Sequence, residues 1–174
     1  MLFSKEENTD TFKQQGKKRR PMNSKSFQDY YPDNHAHCYG CGRLNQHGLQ
    51  IKSYWDGEES VCQFRPHPYH TGGFPENVYG GLIASLMDCH GAGTAAAKAR
   101  SEGIDPETEP FKRFVTASLK IDFLAPTPVD ATMELRGKVR SIDGRKVVVD
   151  VSLTADEKIR AKGEALMIQL LDHQ

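Results

Sequence analysis

The 174-residue sequence is short of several things at once. It has no surplus of either charge: 23 Lys and Arg stand against 23 Asp and Glu, so the formal net charge is zero. Such a chain offers no whole-molecule attraction to nucleic acid or to an anionic membrane surface. No run of about 18 apolar residues exists, which excludes a transmembrane helix. The N-terminus has no apolar signal core, so a cytoplasmic setting is expected rather than secretion. Glu6, Glu7 and Asp10 also argue against an acid-poor transit peptide. Cysteine is sparse, at four residues (Cys38, Cys41, Cys62 and Cys89), and without a secretion signal these read as reduced thiols. There is no internal repeat. What remains is one domain of common size with enough chain for a real core.

The most informative stretch is Tyr79-Gly80-Gly81-Leu82-Ile83-Ala84-Ser85-Leu86-Met87-Asp88-Cys89-His90-Gly91. A glycine pair opens an apolar run with helical spacing. On a 3.6-residue helix, Leu82, Ile83, Leu86, Met87 and His90 share one side. Gly81, Ala84, Ser85, Asp88, Gly91 and Ala92 share the other. Asp88 therefore stands on a stripe of small side chains that lets a ligand or another backbone come close. Gly80 and Gly81 fall at the helix start, where backbone N–H groups lack internal partners and can bind an oxyanion. Small stripes also serve plain helix packing, so the carboxylate needs company to mean chemistry.

Residues 1–34 read as a polar tail, with the basic run Lys17-Lys18-Arg19-Arg20 inside it. Residues 35–174 read as a single domain. His35-Ala-His37-Cys38-Tyr39-Gly40-Cys41-Gly42 contains a Cys-x-x-Cys turn flanked by histidines. With two of His35, His37 and His47 the pair makes a four-ligand zinc set, but no second paired motif follows. A glycine-rich tight turn is the favoured reading, with no metal. Strands are predicted over 49–55 and 61–65, joined at Asp56-Gly57. A Gly/Pro-rich loop then carries His70 and Asn77 into the helix, which should end near Arg100 ahead of Gly103 and Pro106. Beyond a charged loop over 101–113 the period becomes two: Val115, Ala117, Leu119, Ile121 and Phe123 alternate with polar residues. Three further strands follow, with Asp143-Gly144 as a hairpin signal. The order gives an α+β class: an antiparallel β-sheet with one long helix across it. His90 falls on the sheet side as a hydrogen-bonded packing histidine, and Asp88 faces away from the sheet.

Three of these pieces resemble hotdog-fold acyl-CoA thioesterases of the phenylacetate-degradation (PaaI-like) type. They are Cys38-Tyr-Gly-Cys41-Gly42 with Asn45 and Gly48-Leu49, the Gly80–Asp88 helix, and the strand Phe114–Phe123 with Leu124-Ala125-Pro126. The resemblance implies a hotdog fold, in which the sheet wraps around one long central helix. It implies hydrolysis of acyl-CoA or aryl-CoA thioesters, with Asp88 as general base or nucleophile and the Gly80 or Gly81 N–H polarising the carbonyl. Thr116 would come from the partner subunit to help place the water. Tyr79, Asn77, His70 and Ser85 are the expected substrate-binding residues, and no cofactor is implied. Tyr79 stands where the family often has His, which keeps a non-catalytic acyl-CoA-binding protein as the alternative. The open sheet edges and the leftover small-residue face lead us to expect a homodimer, or a dimer of dimers, with Asp88 near the shared interface. In that dimer Thr116 would face the partner's Asp88.

Overall fold

Gly57 (φ +68°) and Gly144 (φ +55°) close the Asp56-Gly57 and Asp143-Gly144 turns, in a backbone region that costs glycine little. A third turn uses Asp156 (φ +50°) and Glu157 (φ +61°). The computed structural model describes residues 25–102 and 111–171. Two short 3-10 helices, Phe27–Tyr30 and Asp33–His35, precede strands β1 (Ser53–Asp56) and β2 (Glu59–Phe64). Helix α1 (Gly80–Ser101) follows, then β3 (Phe114–Phe123), β4 (Met133–Asp143), β5 (Lys146–Ala155) and β6 (Lys158–Gln169). The strands form one antiparallel sheet in the order β1-β2-β4-β5-β6-β3. One helix on a six-stranded antiparallel sheet is the hotdog arrangement expected from the resemblance.

The apolar face of the helix seats as its spacing predicts, but Gly91, placed on the opposite face, meets Val151, Ala165 and Met167, and Asp88, expected to face away from the sheet, meets Thr116 at its edge. Leu82, Ile83, Leu86, Met87 and His90 are buried, against Met133 and Leu135 of β4 and the inward valines of β5. The opposite face of the sheet is charged. Arg136 meets Asp56, Glu59 and Glu134, and Arg140 meets Asp150 and Glu164. A face covered in ion pairs needs no second layer.

Four expectations change. The first strand begins at Ser53, not at 49, because Gln50 adopts φ +48° and Leu49 and Ile51 bond to the Tyr39 and Gly40 carbonyls instead of a ladder. Residues 25–34, read as the end of a polar tail, dock instead: Phe27 and Tyr31 are 4 % and 3 % exposed. Phe27 packs edge-on to Trp55, and Tyr30 and Tyr31 pack against Phe111. Consequently α1 is buried all round from Cys89 to Ala97, covered by its own N-terminal segment where a second subunit was expected. Finally, β3 does not keep its period. A bulge between Thr116 and Ser118 resets the register, so Thr116 turns toward the helix while Val115 and Ala117 are exposed. A single inserted residue reverses strand parity, which simple alternation cannot anticipate. The basic run 17–20 and most of the 101–113 loop lie outside the described residues.

His90 shows how a polar group is accommodated in this core. Its Nδ1 lies 2.9 Å from Ser53 Oγ and its Nε2 3.0 Å from Ser60 Oγ. Ser60 Oγ meets Thr94 Oγ1 at 2.6 Å, and Gln28 holds Ser53 through its Oγ (3.2 Å) and its backbone N–H (2.8 Å). Burial pushes the imidazole pKa down to about 4. In the unfolded chain the same ring protonates near pH 6.5. Between those values the unfolded state binds the extra proton, so stability falls as pH falls. The fully buried ring should therefore withdraw on the order of 3 kcal/mol between pH 7 and 4. We predict that urea midpoints of the wild type drop more steeply over this range than those of His90→Gln; parallel pH profiles would show that His90 carries none of the effect.

Candidate active site

Asp88 stands two turns into α1, half-buried, at the point where the helix passes the edge strand β3. The Thr116 hydroxyl donates to its Oδ1. Thr116 Oγ1 also lies 3.3 Å from Met167 Sδ on β6, so the threonine is seated from behind. The β3 bulge is what aims this hydroxyl inward, and it aims it at the Asp88 of the same chain. The expected pairing of Thr116 with the partner's Asp88 is thus replaced by a pairing within one protomer.

The glycine pair heads the same helix. Tyr79 is the N-cap residue in extended conformation and supplies no side-chain cap. Its carbonyl accepts from Leu82 and Ile83, while no intrahelical acceptor exists for the first N–H groups. The Tyr79 ring, 60 % exposed, folds over Gly81: a Cβ there would lie 2.3 Å from it. Asn77, Gly80 and Ile83 line a groove of about 330 Å³ with Phe123, Pro126 and Thr127. Thr127 is buried, and its hydroxyl has no hydrogen-bond partner. An orphaned hydroxyl beside an apolar groove is a ready polar contact for a ligand.

Comparisons with known proteins show the family. Residues 76–162 match the family model described as "Thioesterase superfamily", half of the chain. A thioesterase superfamily protein from Shewanella loihica PV-4 is 42 % identical, covering 80 % of this chain and 98 % of its own, with a TM-score of 0.62. This chain belongs to the thioesterase superfamily. The Escherichia coli PaaI protein from the phenylacetic acid degradation operon shares the fold, at 19 % identity and a TM-score of 0.58, over 71 % of this chain and 81 % of its own. Among curated proteins, acyl-coenzyme A thioesterase THEM4 of Rattus norvegicus is 34 % identical over 127 residues, 71 % of this chain and 49 % of that protein. The chain spans about half the length of that relative.

The expected site residues divide. Asp88 and Thr116 meet directly, Asn77 and Gly80 line the groove, and Tyr79 packs on Gly81. Ser85 does not join them: its hydroxyl donates to the Gly81 carbonyl at 2.9 Å within the helix. The His70 ring is also engaged elsewhere. Its Nδ1 accepts from the His67 N–H at 3.1 Å, and the ring packs on Phe64, His67 and Tyr69. His70 contributes through its carbonyl, which receives the Tyr79 N–H at 2.9 Å and so fixes the entry to α1.

Sequence reading missed a second cluster beside Asp88. The Cys38-x-x-Cys41 turn lies against Cys89, with the Cys38 and Cys89 sulfurs 3.6 Å apart. No spacing rule links residues 38 and 89; the only trace is that Cys89 follows Asp88. Gly40 makes the approach possible, since a Cβ there would lie 2.3 Å from Cys89 Sγ, 3.2 Å from its Cβ and 3.4 Å from the Ser85 carbonyl. Gly40→Ala should therefore cost about 1–3 kcal/mol of stability through overpacking. In a Cys89→Ala background the penalty should shrink without vanishing, because the sulfur goes and the Cβ stays. A double-mutant cycle by urea denaturation measures this, and equal penalties in both backgrounds would refute the contact.

Proposed function

We propose that this chain hydrolyses acyl-CoA or aryl-CoA thioesters to free acid and CoA. The observation that carries the reading is the Asp88–Thr116 pair, on a helix headed by two glycines, in a thioesterase-superfamily fold. The thioester carbonyl is activated, so one carboxylate suffices as general base or nucleophile. As base, Asp88 takes a proton from water while the hydroxide adds to the carbonyl carbon. The oxyanion is met by backbone N–H groups at a helix start, and the tetrahedral adduct expels the CoA thiolate, which takes the proton. Thr116 holds Asp88 through Oδ1, and Oδ2, touched only by a long 4.0 Å contact from Cys89 Sγ, receives the water. The groove near Phe123 takes the acyl or aryl group.

Gly81 and Asp88 lie seven residues apart on one continuous helix, about 10 Å in axial rise. One carbonyl does not bridge that distance. We therefore place the oxyanion donor and the acid of each site on different protomers of a homodimer. The exposed apolar residues Val115, Phe123 and Leu124 on and just after the edge strand β3 offer the surface for it. The setting that goes with this is cytoplasmic, since all four cysteines are free thiols. Among the described residues no helix is long and apolar enough to cross a membrane.

The Tyr79 ring over Gly81 favours a second reading, an acyl-CoA-binding protein without turnover. A panel of acyl- and aryl-CoA thioesters, read by thiol release, separates the two. On the catalytic reading Asp88→Asn lowers kcat by about 10²–10⁴-fold. Tight binding with no turnover across the panel would establish the binding reading instead.

Thr116→Val removes a hydrogen bond to a charged group, about 1.5 kcal/mol or roughly tenfold in rate. Because Thr116 and Asp88 pair within one chain, mixed dimers of Asp88→Ala and Thr116→Ala should recover nothing. Recovery of up to half the sites after verified subunit exchange would mean the pair forms across the dimer. Light scattering showing a monomer at micromolar concentration would remove the shared-site geometry.

A further inference from the structure

We propose that Cys38, Cys41 and Cys89 form a binding site for a thiophilic d10 cation, with Zn²⁺ as the reference ion. The three Sγ atoms lie within 4.8 Å of one another, and no other group of metal-ligating side chains is found among the described residues. Zinc holds thiolates at about 2.3 Å, which puts the sulfurs of a tetrahedral site about 3.8 Å apart. The Cys38–Cys89 separation of 3.6 Å already fits that spacing. The histidines that flank the Cys-x-x-Cys turn in sequence are not part of the group. The third ligand comes from α1, supplied by the fold.

Two further observations point to an occupant. The Tyr31 hydroxyl is buried without a hydrogen-bond partner, within electrostatic reach of all three thiols. Zinc takes four ligands, and the remaining position falls to a water, for which this orphaned hydroxyl is a buried partner. The Arg113 guanidinium packs over the Tyr31 ring at 5.1 Å, within electrostatic reach of Cys41 and Cys38, and its buried Nη1 has no hydrogen-bond partner. Three thiolates and one Zn²⁺ carry a net single negative charge, and Arg113 neutralises it. Binding releases three protons from the thiols and needs no oxidant. The ion would tie the 38–42 turn to α1 one residue from Asp88, and so brace the helix that carries the acid.

The test uses the reduced, full-length chain. Stripped of metal and titrated with Co²⁺, it should bind one ion per chain and develop sulfur-to-cobalt charge-transfer absorption. Cys38→Ser and Cys89→Ser should each abolish that absorption, while Cys62→Ser, outside the cluster, keeps it. Because a serine variant can fail to fold, zinc-edge X-ray absorption on the wild-type zinc form gives an independent reading. It should show three sulfur neighbours at about 2.3 Å. Two or fewer sulfur neighbours, cobalt absorption that survives Cys89→Ser, or no absorption with four titratable thiols would each overturn the site. So would a Cys38–Cys89 disulfide in protein purified anaerobically.

Discussion

Everything in this structure depends on one helix whose later turns must be covered on all sides with, among the described residues, no second α-helix to cover them. α1 lies across the sheet through Leu82, Leu86, Met87 and His90, and that contact closes one side. Its other side from Cys89 onward is closed by residues 26–42: Gln28 and Phe27 lie against Gly93, and the Gly40 turn lies against Cys89. Glycine and alanine along that side allow the close approach. The helix is thus a central element by packing, with the N-terminal segment serving as part of the wall.

The first two turns are left out of this enclosure. Gly81, Ala84, Ser85 and Asp88 remain half-buried, and a groove opens at the helix start beside Gly80 and Ile83. A carboxylate at this boundary is open to solvent on one side and close enough to the core to be held. Thr116 does the holding, and it can do so only because a bulge on the edge strand turns it inward. Bulges at sheet edges commonly re-aim a side chain in this way.

The polar network around His90 and the thiol cluster around Cys89 sit on neighbouring positions of the helix, facing different directions. His90 is satisfied by Ser53 and Ser60 and is locked inside the core. Cys89 faces the Cys38–Cys41 turn instead. Asp88, between them and the groove, is flanked by rigid structure on its C-terminal side. A reacting carboxylate benefits from such support, because positioning errors of an ångström are costly.

Much of the fold was legible from periodicity: the helix from Gly80 and the Asp-Gly turns at 56–57 and 143–144 follow from spacing and backbone preference alone. So did the acid on its small-residue stripe and the packing role of His90, because a helical face is set by arithmetic in the sequence. The partners of those residues were not legible. Thr116 had the wrong parity until a bulge reversed it, and a bulge leaves no mark in an alternating pattern. Cys89 joins Cys38 and Cys41 across some fifty residues, and Gln28 reaches Ser53 from a segment that composition marks as polar tail. Local residue order determines which face a side chain takes. Which distant group meets it there is decided only when the whole chain packs, since that contact depends on how every intervening element closes.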